Sequence, residues 1–225
     1  MKSRYFFTAR AGGVSDPPFD QRNLALHVGD DPAAVLINRA QLASEVGVES
    51  DRLYFMNQVH GAEIIEITHH STHMAIRQCD ALYTRTPGIA LAVLVADCAP
   101  VILLGERTSA VIHVGWRGLF GGIIESALAL FEDESFIAHI GPTICGTCYT
   151  IGDDLHLLAR ERGFVTGKDT LDIPQSITEL LSAHAGKQLI GAEWNGICTY
   201  ESDEHFSYRR DNTTGRQAGV VLHGS

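Results

Sequence analysis

The sequence predicts a single domain of mixed α and β structure. Its 225 residues suffice for one substantial hydrophobic core. Apolar residues make up 45% of the chain and charged residues 20%, which is the composition of a globular protein rather than a disordered or fibrous one. No internal repeat, low-complexity tract or linker divides residues 1–225, and short apolar runs alternate with segments that carry helix-start signals.

Taken in order, Tyr5-Phe6-Phe7-Thr8 reads as a strand and the segment from Gly12 to Pro18 as a loop. Asp31-Pro32 then opens a helix, because an Asp side chain caps the free amides of a first turn and Pro tolerates that turn. Ala34, Leu36, Ile37, Ala40, Leu42 and Ala43 are expected to form its apolar side. Leu53-Tyr54-Phe55-Met56 is a short apolar run that ends in Asn57-Gln58-Val59-His60-Gly61. The run from Ile89 to Val95 reads as a buried strand that stops at Ala96-Asp97-Cys98-Ala99-Pro100, with another strand from Val101 to Leu104. Ser109 to Val114 is a further strand and meets Gly115-Trp116-Arg117-Gly118. A helix is expected from about Leu119 to Phe131, its first turn weakened by Gly121-Gly122. Downstream, Phe136 to Ile140 reads as a strand, Asp153 to Arg162 and Ile173 to Ala185 as helices, and Asn195 to Leu222 as a loop-rich tail with a final short strand. No glycine-rich dinucleotide fingerprint follows a strand, which counts against a Rossmann-type sheet.

The formal net charge of −10 repels phosphate backbones and anionic lipid, so neither nucleic acid nor membrane is an expected partner. A basic pocket within that acidic surface stays open as a route to small anionic substrates. The longest apolar run, from Gly88 to Gly105, is interrupted by Asp97 and Pro100 and is no membrane span. The apolar stretch before Arg10 is too short for a signal sequence, and five cysteines do not suggest a disulfide framework. A soluble protein of the reducing cytoplasm, with free thiols for metal or catalysis, is the expectation.

Three strand-to-turn junctions each deliver one potential metal ligand: His60, Cys98 and His113. Zinc favours imidazole nitrogen and thiolate sulfur, and a catalytic zinc keeps three protein ligands and one open position. The spacings fit no compact finger pattern, so from the residues alone an equal alternative is a buried Cys98 and two histidines without metal.

The strings Asn57-Gln58-Val59-His60-Gly61, Ala96-Asp97-Cys98-Ala99-Pro100 and His113-Val114-Gly115-Trp116-Arg117-Gly118 resemble the three signature motifs of the YfiH purine nucleoside phosphorylase family. That family is also called the polyphenol oxidase or laccase-domain family and is linked to peptidoglycan editing. Asn23 to Asp30, Gln78-Cys79-Asp80-Ala81-Leu82-Tyr83-Thr84, Gly141-Pro142-Thr143-Ile144 and the tail from Phe206 to Arg216 extend the resemblance over nearly the whole chain. It departs at Gln21 and Arg22, which replace small and apolar residues, and at Cys145-Gly146-Thr147-Cys148-Tyr149-Thr150, where paired cysteines and an acidic residue are usual. The resemblance implies an α+β fold, a layered α/β/β/α sandwich with mixed sheets inside and helices outside. It also implies that His60, Cys98 and His113 hold zinc, with copper a weaker second choice. No His-x-His pair of the multicopper type supports copper chemistry.

The activities so implied are phosphorolysis of adenosine and inosine, with adenosine deamination as a second reaction. A zinc ion lowers the pKa of a bound water enough to supply a nucleophile for the purine C6. Phosphorolysis needs a cationic clamp for phosphate and a proton donor for the leaving base. Arg117, in its glycine-flanked turn, is the first choice for the anion contact, with a structural salt bridge as the alternative. His27 and Asn23 are placed near substrate, or else in a turn. Asp97 either orients a ligand histidine or caps a turn. Competing readings make Cys98 a thiolate nucleophile with His113 as its base, in a hydrolase of cell-wall precursor linkages, or make the chain a polyphenol oxidoreductase, or a metal-stabilised binding protein. The adenosine-deaminating signature His-x-Glu with Pro-Cys-x-x-Cys is absent, so deamination needs another geometry. Cys145 and Cys148 have redox or half-zinc spacing, but no second cysteine pair is spaced to complete a zinc site, so a packed loop is preferred. His69-His70-Ser71-Thr72-His73 could bind adventitious metal but reads better as a solvated loop, and Arg209, Arg210 and Arg216 could attract phosphate but read better as a paired surface run. The expected partners are a purine nucleoside and phosphate, and the expected state is a monomer or small homo-oligomer.

Overall fold

The computed structural model describes residues 2–71 and 78–224. Two mixed sheets lie face to face, with helices on the outside of each. The first sheet orders β1 (Arg4–Phe7), β10 (Gln217–Leu222), β5 (Ala90–Val95) and β2 (Leu53–Phe55). The second orders β3 (Ile64–Glu66), β4 (Ala81–Thr84), β7 (Ser109–Val114), β6 (Ala99–Gly105), β8 (Phe136–Ile140) and β9 (Leu189–Trp194). In each sheet the central pairs are antiparallel. The outer pairs β2–β5, β3–β4 and β8–β9 are parallel.

The period-2 alternation of strand side chains builds three cores from two sheets. On β5, Leu91, Val93 and Val95 point between the sheets, where they join Leu82 of β4, Ile102 of β6, Val111 of β7 and Val221 of β10. The intervening Ala90, Ala92 and Leu94, with Ala218 and Val220, face α1 (Pro32–Val46). On the other side, Val101, Leu103, Ala110 and Ile112 share a core with α2 (Trp116–Phe120), α3 (Ile123–Leu128), α4 (Asp153–Glu161) and α5 (Ile173–His184) through Leu119, Ile123, Ala159, Ile177 and Leu181. This is the four-layer sandwich that the resemblance implied. β5 and the Val101–Leu104 part of β6 read as unbroken apolar runs because both faces of these strands are covered.

Two helices differ from expectation. α1 begins at Pro32 under an Asp31 cap (Ala33 N to Asp31 Oδ1, 3.0 Å), but its buried face is Val35, Asn38, Leu42, Ala43 and Val46. Leu36 and Ile37, expected inside, are 57% and 49% exposed. The inward polar Asn38 explains the rotation: its amide donates to Ser15 Oγ and the carbonyls of Gln21 and Asn23, and accepts from Val14 N–H. An apolar residue there would leave those loop groups unpaired. The helix expected from Leu119 instead starts at Trp116 and breaks at Gly121-Gly122, because Gly122 takes φ +78°, before resuming as α3. Of the polar His69 to His73 stretch, Thr72 and His73 lie outside the described residues. Among the described residues, no helix is long and apolar enough to cross a membrane.

The layer assignment predicts unequal costs for two leucines. Leu91→Ala, fully buried between the sheets, should lower unfolding free energy by about 2–5 kcal/mol. Leu36→Ala on the exposed side of α1 should change it by no more than ~0.5 kcal/mol. Urea denaturation of the two variants measures both, and similar losses would contradict the packing described.

Candidate active site

The two sheets end together on one side of the sandwich, and three of their connections meet there. Cys98 directly precedes β6, and His113 is the penultimate residue of β7. In the β6–β7 register Pro100 lies opposite His113, so Cys98 comes next on the same, inward face. His60 arrives from the loop after β2. That loop is pinned by Gln58, whose amide donates to Leu94 O (2.7 Å) and accepts from Leu94 N–H (2.9 Å), imitating a strand partner of β5.

One ligand atom from each of His60, Cys98 and His113 lies within 4.8 Å of the other two, a grouping able to hold a metal ion. Cys98 Sγ is 4.0 Å from His60 Nε2, and the imidazole rings of His60 and His113 meet edge to face at 4.7 Å. Gly115 makes this approach feasible: a Cβ there would lie 3.0 Å from Cys98 Sγ and 3.2 Å from His60 Cδ2. His60 and Asp97 are non-glycine residues with positive φ, 61° and 90°. Such strain, of order 1–3 kcal/mol each, persists only where surrounding contacts enforce it.

The enforcing group beside His60 is Asp80, which sequence reasoning quoted in a motif without giving it a role. Its carboxylate is fully buried. It accepts from His113 Nδ1 at 2.7 Å and from the backbone N–H groups of Val59 (3.2 Å), His60 (2.9 Å) and Gly61 (2.6 Å). Occupying His113 Nδ1 leaves Nε2 to face the sulfur and the second imidazole. The signal available in the sequence was the Cys79-Asp80 step just before a buried strand, where a lone carboxylate needs several partners. Burial pushes the Asp80 carboxyl up, but the His113 and Gly61 hydrogen bonds outweigh it and leave its pKa below the ordinary value. Burial likewise opposes ionisation of Cys98, yet the neighbouring His113 and His60 draw its thiol down to about 6. His113 shifts in the opposite sense: burial lowers its pKa, and the Cys98 and Asp80 charges raise it more. Without a metal, Cys98 and His113 therefore lean towards a thiolate–imidazolium pair; a metal would take the thiolate as it stands and displace the imidazolium proton.

Asp97 does not touch either histidine. Its Oδ1 accepts from Thr199 Oγ1 and its Oδ2 from Arg209 N–H, both at 2.7 Å, while its carbonyl accepts from Thr143 Oγ1 and Ile144 N–H. It ties the carboxy-terminal half of the chain to the turn that carries Cys98, which is closer to the turn-capping alternative.

Above the three donors opens a cavity of about 350 Å³. Arg117, Arg209 and Arg216 border it, together with His27 and the rings of Trp116, Tyr149 and Tyr208. The basic pocket inside an acidic protein is therefore present. Arg117 forms no ion pair among the described residues and lies over the Trp116 ring at 4.3 Å, so the salt-bridge alternative finds no partner. Arg209 lies over Tyr149 at 4.6 Å, and Arg216 donates to the carbonyls of Thr214 and Gly215. Of the run expected to be paired at the surface, only Arg210 forms an ion pair among the described residues, with Asp211. Burial, then the charges of Arg216 and Arg39, lower the pKa of His27 and keep it neutral. Asn23 is fully buried and does not border the cavity. Its side chain is consumed by Ala25, Asp30 and the Arg216 N–H, so it holds the turn that presents Arg216 rather than meeting a ligand itself.

Residues 4–223 match the family described as multi-copper polyphenol oxidoreductase laccase. The chain belongs to this family. Within it, a protein of Streptomyces coelicolor named purine nucleoside phosphorylase is 36% identical over 237 residues, covering 97% of this chain and 95% of the relative. The Escherichia coli purine nucleoside phosphorylase YfiH is 35% identical over 227 residues, covering 95% and 91%. Among solved structures, a Neisseria meningitidis protein matches with a TM-score of 0.87 at 29% identity, over 100% of this chain and 95% of its own. YlmD from Geobacillus stearothermophilus matches with a TM-score of 0.88 at 28% identity, over 99% and 92%.

The lowered Asp80 pKa fixes the sign of a pH effect. Its contribution to stability is complete above the ordinary carboxyl range and is lost as pH falls through the lower folded value. Asp80→Asn should remove this part of the acid limb in urea unfolding curves collected across pH, and a variant with the same acid limb as the parent would refute the assignment.

Proposed function

We propose that the protein is a zinc-dependent purine nucleoside phosphorylase whose metal is held by His60, Cys98 and His113 beneath the arginine-lined cavity. The observation that carries this reading is the convergence of two imidazoles and one thiol, within 4.8 Å, on a cavity bordered by three guanidinium groups and three aromatic rings. Two nitrogens and one sulfur form a zinc donor set with one position left over, as a catalytic rather than a structural site requires. The ion, when bound, would supply Lewis-acid stabilisation of negative charge on a reactant oxygen.

The chain's own residues account for the rest. Phosphorolysis forms a bond from a phosphate oxygen to the ribose C1′ and breaks the bond from C1′ to the purine nitrogen. Arg117, exposed at the cavity edge and in no ion pair among the described residues, receives the phosphate, and Arg216 borders the same cavity. Guanidinium forks suit phosphate oxygens, and in a partly enclosed cavity their attraction is weakly screened. The faces of Tyr149, Tyr208 and Trp116 offer stacking for a flat base. His27, kept neutral by burial and by its arginine neighbours, offers a hydrogen bond to the purine ring, and the proton that the leaving purine nitrogen gains is the one the attacking hydrogen phosphate brings. The relatives' names support this activity over a Cys98–His113 hydrolase of cell-wall precursors. Adenosine deamination is retained as a second reaction of the same cavity.

Product analysis after incubating the protein with adenosine and phosphate tests the proposal. Adenine with ribose 1-phosphate reports phosphorolysis, and inosine or hypoxanthine reports deamination. Cys98→Ala, or removal of metal with a chelator, should abolish product, and Zn²⁺ should restore it to the parent only. Undiminished turnover in verified metal-free protein, or phenol oxidation by copper-loaded protein as the sole reaction, would overturn the reading. Arg117→Ala should raise the KM for phosphate by about tenfold or more, the loss of one charge-assisted contact of roughly 1.5–3 kcal/mol, with a smaller change in the nucleoside KM. Equal changes in both would remove Arg117 from the anion site.

A further inference from the structure

A second cluster of metal-binding side chains lies outside the cavity. Cys145 and Cys148 sit on a tight turn closed by Cys148 N–H and Tyr149 N–H on the Cys145 carbonyl, at 3.1 and 3.0 Å. Far along the chain, Cys198 opens another turn, closed by Ser202 N–H on the Cys198 carbonyl at 3.1 Å, which brings Glu201 to the same side. The two turns are joined by the parallel bridge between Thr143 and Cys198, with Thr143 N–H on Ile197 O and Thr199 N–H on Thr143 O, both 3.1 Å. Cys145, Cys148, Cys198 and Glu201 thereby bring three sulfurs and a carboxylate oxygen within 4.8 Å of one another. The sequence contains the second half of the pattern as Cys-x-x-Glu, which a search for a second cysteine pair passes over.

We infer from this geometry that Cys145, Cys148, Cys198 and Glu201 form a structural zinc site, separate from the one beneath the cavity. Tetrahedral zinc with thiolate bonds of ~2.3 Å sets its sulfurs about 3.8 Å apart, which is compatible with donor atoms that already lie within 4.8 Å of one another. Four protein donors close the coordination sphere and leave no place for a reactant, as structural sites do. All three cysteines are free thiols. Cys145 N–H points at Cys198 Sγ (3.4 Å), the kind of outer contact that supports a thiolate ligand. None of the four residues borders the cavity, so the ion would act on the fold. It would clamp the turn that continues into Tyr149 to the turn that continues into Thr199, the residue hydrogen-bonded to Asp97.

The test is metal stoichiometry on the full-length protein, produced without a histidine tag and kept reduced. The parent should hold two Zn²⁺ per chain by elemental analysis, one for each donor group. His60→Ala/His113→Ala should retain one, and so should Cys145→Ser/Cys148→Ser. With Co²⁺ in place of Zn²⁺, the His60→Ala/His113→Ala variant should keep strong thiolate-to-cobalt absorption. Should the double serine variant fail to fold, Glu201→Gln in the His60→Ala/His113→Ala background provides the second measurement, as faster Zn²⁺ transfer to a chelating dye. No Zn²⁺ in the reduced His60→Ala/His113→Ala protein would overturn the proposal, as would equal Zn²⁺ in the parent and Cys145→Ser/Cys148→Ser or a Cys145–Cys148 disulfide in freshly purified protein. Because the variants separate the two sites, failure here leaves the phosphorylase reading to its own assay.

Discussion

Asp80 is an anion with no access to water, and four hydrogen bonds account for its presence. One comes from the His113 ring and three from consecutive backbone N–H groups of Val59, His60 and Gly61. A buried carboxylate deprived of such partners costs several kcal/mol, so the arrangement holds together or is lost together. The consequence is geometric. The same carboxylate orients the imidazole at the end of β7 and holds the loop that carries His60 in its positive-φ conformation. Two of the three candidate donors are thus positioned by one group that does not border the cavity.

Around that anchor the architecture divides the labour. The double-sided burial of β5, β6, β7 and β10 makes the floor of the cavity rigid, and Cys98 and His113 belong to it. The walls come from less regular segments: the turn at Tyr149, the short helix α6 (Tyr208–Asp211) and the turn that presents Arg216. Asp97 is where floor and walls join, since its carbonyl and both carboxylate oxygens accept from the carboxy-terminal half of the chain. A rigid floor suits fixed donor atoms, and walls built from loops suit recognition of a ligand's shape.

Charge follows the same division. A protein of net charge −10 concentrates three guanidinium groups around one cavity, so an anion is repelled by most of the surface and attracted at that place. Each guanidinium lies over an aromatic ring: Arg117 over Trp116, Arg209 over Tyr149 and Arg216 over Tyr208. The rings hold the cations in place without neutralising them, as carboxylates would.

The sequence by itself determined the elements with strong local signals. These are the Asp31-Pro32 helix start, the unbroken apolar runs of the central strands, and three donor residues at strand-to-turn junctions. They were legible because capping, burial on both faces and glycine turns act within a few residues. Other features were decided only by the tertiary structure. The rotation of α1 depends on loop carbonyls that Asn38 satisfies. The role of Asp80 depends on a hydrogen bond to a residue 33 positions away. Arg209 and Arg216 change from surface charges to cavity walls, and Cys198 comes to lie beside Cys145, 53 positions distant. Each of these is a long-range pairing of polar groups, and no local propensity encodes which distant partner a buried polar group will find.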